Sequence, residues 1–106
     1  MHLSQAALRG LRHLAGQLHQ DVDLMPGGLA QAVQDAGREM PAGDRLALLH
    51  TIRRAIGDDA VSALRNPLRR AGAEVFPRPG REGAFWTEVA AGLAACQTPG
   101  SKGASR

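Results

Sequence analysis

Residues 4–18 read SQAALRGLRHLAGQL, and the fold class turns on this stretch. Leu8, Leu11, Leu14, Ala15 and Leu18 recur at steps of three and four, which places them on one face of an α-helix. Arg9, Arg12, Gln17 and Gln20 fall largely elsewhere on the wheel. Ser4 is positioned to cap the first turn, and the periodicity predicts a helix from there to about Gln20. Burying one leucine contributes roughly 1.5–3 kcal/mol, so this stripe alone supplies a substantial part of a core.

Working outward, the composition agrees. The chain has 106 residues, enough for one domain and one core. Apolar residues make up 43%, with no Tyr, two Phe and one Trp. Alanine and leucine favour helices, whereas strands want β-branched and aromatic side chains. The expected fold is an all-α bundle of about five short helices in one domain over residues 1–96, with a disordered tail at 97–106.

The pattern after the first helix gives the other elements. Asp21–Gly28 ends in Met-Pro-Gly-Gly and reads as a connection. A second helix, about Leu29–Met40, turns Leu29, Ala32, Val33 and Ala36 inward, with Gly37 weakening its last turn. After Pro41, Asp44 is expected to cap a third helix whose inward residues are Leu46, Leu49, Ile52 and Ile56. Gly57 is placed to end it in the left-handed conformation. Asp58 or Asp59 then caps a fourth helix carrying Val61, Leu64 and Leu68, which Pro67 must kink or restart. Residues 73–84 contain two Pro and two Gly and read as an irregular loop or a short hairpin. A last helix, about Gly83–Cys96, sets Phe85, Trp86, Val89 and Leu93 on one side.

Charge is the most asymmetric feature. Twelve arginines and a single lysine face ten acids, for a net charge of +3. Residues 53–81 hold Arg53, Arg54, Arg65, Arg69, Arg70, Arg78 and Arg81 against Asp58, Asp59 and Glu74, net +4. The segments on either side are neutral or carry −1, so the whole excess lies in this stretch. These seven arginines are the candidate contact residues for a partner. An arginine-for-lysine composition also raises the isoelectric point without any selected patch.

Cys96 is the only cysteine, so no internal disulfide forms, and a reducing, cytoplasmic setting is expected. No apolar run approaches the ~18 residues of a membrane span. Residues 1–20 lack acids and carry arginines on an amphipathic pattern, which a mitochondrial presequence would also do. The same stripe serves a core equally well, and a core is the expectation.

Catalytic signatures are missing from the pattern: there is no phosphate-binding glycine loop, nucleophile elbow or cysteine pair. His19, Asp21 and Asp23 alternate as in a cation loop but lack the further ligands one needs, so they read as a polar turn. Asp35 and Glu39 stand at i, i+4, yet their neighbours make them an exposed polar face. His13 and His50 have no carboxylate or cysteine at ligand spacing. The chain therefore reads as a non-enzyme without cofactor or metal. The leading expectation is a small intracellular protein-interaction module: an adaptor, inhibitor, immunity-type or accessory subunit. Its partner would present an acidic surface, since complementary charge steers encounter. Phe85 and Trp86 are the aromatic residues available as anchors, although core packing is the simpler role for them. The alternative is a regulator binding double-stranded DNA through a helix-turn-helix-like unit at 44–81, its arginines on phosphates or base edges.

The stripe that opens the chain yields a direct test. Leu11→Ala and Leu14→Ala are each predicted to lower stability in urea unfolding by about 2–5 kcal/mol. A loss below about 1 kcal/mol at both positions would mean that this face is exposed.

Overall fold

A computed structural model describes residues 3–18, 27–74, 77–78 and 80–96. Among them are five α-helices: α1 Gln5–Gln17, α2 Gly28–Glu39, α3 Ala42–Gly57, α4 Arg65–Arg70 and α5 Glu82–Ala95. A 3-10 turn, Val61–Leu64, leads into α4, and no described residue is in a strand. The chain is an all-α bundle. No helix among the described residues is long and apolar enough to cross a membrane. The expected tail at 97–106 and the polar turn with His19, Asp21 and Asp23 lie outside the described residues.

The first helix forms as its sequence requires. The Ser4 hydroxyl accepts the Ala7 amide at 3.1 Å, satisfying one of the free donors of the first turn. Leu11, Leu14 and Leu18 are fully buried, and Leu8 packs at the margin of the core. Helix α1 lies against α2, α3 and α4, with its widest interface on α3. Helix α5 closes the other side, against α2 and α3, and contributes Trp86, Val89 and Leu93 to the core. Trp86 is 1% exposed, and Phe85 meets it edge-to-face at 5.1 Å.

Four local expectations are corrected. Helix α3 starts at Ala42, with Pro41 preceding it, so Asp44 sits inside the first turn and is not the cap. The buried arc of α3 runs through Arg45, Leu48, Leu49, Ile52 and Ala55. Leu46, expected inward, is 61% exposed, because it lies about a third of a turn from the centre of that arc. Gly57 remains helical. The left-handed residue is Asp59, at φ 55°, with its amide on the Ile56 carbonyl and the Ala60 amide on the Ala55 carbonyl. That bond pair is the Schellman closure, and aspartate tolerates its conformation better than most side chains. Neither Asp58 nor Asp59 caps the next helix. The 3-10 turn begins after Ala60 without a side-chain cap, and the chain changes to α-helix at Arg65. Pro67 thereby falls within the first turn of α4, where a missing amide hydrogen leaves no bond unmade.

Glycines let the helices approach. A methyl group on Gly10 would lie 3.0 Å from the Asp44 carbonyl oxygen and 3.2 Å from the Leu48 Cβ. One on Gly92 of α5 would lie 2.6 Å from a Val33 methyl of α2. Gly37, which weakens α2 on propensity alone, faces the Cys96 sulfur in the same manner. Gly16, two turns along α1 from Gly10, has nothing within 4 Å of an added methyl.

The two α1 glycines are thus predicted to respond with opposite signs. Alanine is a better helix former than glycine by about 1 kcal/mol, so Gly16→Ala should leave stability unchanged or raise it by up to that amount. Gly10→Ala should lower it by about 1–2 kcal/mol, because helix separation outweighs the propensity gain. Chemical denaturation of the two variants measures both.

Candidate surface for partner contact

The arginines divide into those the fold employs and those it leaves free. Arg9 of α1 reaches the Asp44 carboxylate of α3 through three contacts of 3.2–3.3 Å. The Asp44 side chain is 7% exposed and that of Arg9 54%, so the arginine covers an acid that is almost buried. Asp44 also lies in the first turn of α3, where the helix dipole favours a negative charge. Arg45 is buried and its guanidinium donates to the Gly37 carbonyl at 3.4 Å. That carbonyl belongs to the last turn of α2, whose oxygens have no partner within their own helix. Arg38 pairs with Asp35 at 3.6 Å.

The seven arginines of 53–81 have different settings. Arg65 is half-buried, and its guanidinium donates to the Pro77 carbonyl at 3.1 Å, tying α4 to the following loop. Arg69 is exposed and bonds the Asn66 side chain at 3.4 Å. Arg53 and Arg54 are exposed on the last turns of α3. Arg78 and Arg81 are exposed in the loop before α5, where the Arg81 amide donates to the Arg78 carbonyl. Arg70 is exposed at the end of α4. Among the described residues, no hydrogen bond or carboxylate occupies the side chains of Arg53, Arg54, Arg70, Arg78 or Arg81.

Arg70 stands apart because it shares a concavity. A groove of about 630 Å³ runs between α1 and α4. Leu3, Leu8 and Arg12 form one wall, and Ala63, Asn66, Pro67, Arg70 and Ala71 the other. Arg12 also lines a shallower hollow on α1 with Arg9 and His13. Arg12 is exposed and free, like Arg70. Sequence reasoning missed it, since it lies 41 positions before the basic stretch begins. The signal available was its place off the apolar stripe of α1.

The remaining candidate groups are occupied by structural roles. Asp35 accepts from Gln31 at 2.9 Å, and Glu39 from Gln17 at 3.4–3.5 Å, as members of a polar face. Cys96 is half-buried, its thiol 3.7 Å from the Gln34 carbonyl. His50 is exposed and His13 half-buried. Among the described residues no three His, Cys, Asp or Glu side chains gather as a metal site would require. No protein family, curated protein or solved structure matches this chain.

The division between employed and free arginines is testable by stability. Arg9→Ala strips a nearly buried carboxylate of its partner and should cost about 1–3 kcal/mol. Arg12→Ala and Arg70→Ala, which break no contact, should each stay within about 0.5 kcal/mol of the parent in urea unfolding.

Proposed function

We propose that this chain is a non-catalytic protein-interaction module that offers its free arginines to an acidic surface on a partner protein. The observation that carries this reading is the groove between α1 and α4. There the two unpaired guanidiniums, Arg12 and Arg70, stand over walls that are otherwise mainly aliphatic. Arginine is enriched at protein interfaces because its planar head binds carboxylates while its stem packs on apolar surface.

The geometry of residues 42–70 favours this reading over duplex binding. A recognition helix must lie along the major groove and present several side chains to base edges. Helix α4 has six residues, a length of about 9 Å, and the preceding turn is 3-10. Arg65 is committed to the Pro77 carbonyl, and two exposed acids, Asp58 and Asp59, occupy the turn where phosphates would approach.

Affinity capture with the full chain from an extract of its host, with and without nuclease, tests the class. A stoichiometric protein that survives nuclease and binds less well as salt rises is the expected result. With that partner in hand, Arg12→Ala and Arg70→Ala should mainly slow association, as rim charges do. Arg38→Ala, already paired with Asp35, should change it little. Recovery of nucleic acid alone, lost on nuclease treatment, would overturn the proposal.

A further inference from the structure

The α1–α4 groove is specific enough to define what fills it. We infer that it is the docking site for a peptide segment of a partner protein in which an aliphatic side chain is flanked by carboxylates. This inference rests on the interaction-module reading and adds to it the location and the chemistry of the ligand.

Three features of the groove converge on that ligand. Its walls are aliphatic: Leu3 just before α1 and Leu8 in its first turns, with Ala63, Pro67 and Ala71 opposite. A volume of about 630 Å³ falls within the range that holds a few side chains of a bound molecule. Each wall carries one unpaired guanidinium, Arg12 following Leu8 by one helical turn and Arg70 following Pro67 by nearly one. An apolar anchor seated between the walls would therefore bring carboxylates on its own chain to both cations. The nearby acid, Asp44, is already covered by Arg9, so it does not offset the charge of Arg12.

The same features argue against a nucleic-acid strand. A backbone of phosphates is held by many polar donors, and unpaired bases stack on aromatic rings. The described lining of this groove has no aromatic side chain, and its polar side chains are Arg12, Asn66 and Arg70. The segment 97–106 of this chain is excluded as the occupant by charge, since it carries Lys102 and Arg106 and no acid.

The test is selection of a random 12-residue peptide library on phage against the immobilised full chain. An enriched peptide is then synthesised with a fluorophore and titrated by anisotropy. The expected outcome is enrichment of sequences with Asp or Glu on both sides of Leu, Ile, Met or Phe. Combined Arg12→Ala and Arg70→Ala should weaken such a peptide at least tenfold, whereas Arg78→Ala with Arg81→Ala should change it less than twofold. Both double variants alter exposed, unpaired side chains, and a circular dichroism spectrum matching the parent verifies that they fold. Amide shifts in an NMR titration should centre on Leu8, Arg12, Ala63 and Ala71. Enriched peptides without acids, absence of enrichment, or binding indifferent to Arg12 and Arg70 would each overturn the groove. If peptides bind but the shifts centre on Arg78 and Arg81, the groove fails while the interaction-module reading stands. If no peptide binds and a 20-base-pair duplex does, with affinity lost between low and moderate salt, both fail.

Discussion

Where α1 crosses α3, residue 10 leaves almost no room for a side chain. The Asp44 carbonyl oxygen and the Leu48 Cβ stand only 3.0 and 3.2 Å from where a methyl group at Gly10 would be. That approach sets the distance between the two helices that share the widest interface, and the fully buried Leu11, Leu14 and Leu48 fill the space it encloses. Interiors pack at the density of organic crystals, so a change of one methyl at a crossing is transmitted to the neighbours. The second layer repeats the device. Gly92 and Gly37 bring α5 and α2 together, leaving Val33 and Cys96 in contact with bare backbone.

Electrostatics reinforce the same crossing. One residue before Gly10, Arg9 reaches across to Asp44, and one residue after Asp44, Arg45 reaches back to the last turn of α2. Adjacent residues at the start of α3 thus bind α1 and α2 through charges of opposite sign. The chain has more arginines than these tasks consume. The surplus is held at the surface by helices whose apolar faces are already satisfied, and Arg12 and Arg70 reach one groove because α1 and α4 are neighbours.

The α1–α4 groove also accounts for how the basic stretch of residues 53–81 divides. On α4, Arg65 and Arg69 are one turn apart, while Arg70 is rotated toward Asn66, Pro67 and the groove. Arg65 is drawn to the loop, and Arg70 is left to solvent. Contiguity along the sequence therefore does not make a contiguous patch, and Arg12 and Arg70, 58 positions apart, share one.

The sequence by itself determined the helical class, the buried face of α1 and the inward side of α5. Those depend on periodicity, and hydrophobic burial acts on each helix face separately. It also located the basic excess, which is a matter of composition. Helix ends were less legible, because a cap is a local competition among nearby candidates. Asp59 took the left-handed position that Gly57 was suited to, and Pro41 preceded the helix that Asp44 was suited to cap. Only the tertiary structure decided that Asp44 pairs with Arg9, that Leu46 is exposed while Leu48 is buried, and that Arg12 joins Arg70. Each of these depends on which helix lies alongside, and that is fixed by close packing between segments far apart in the chain, about which the residues of any one segment carry no information.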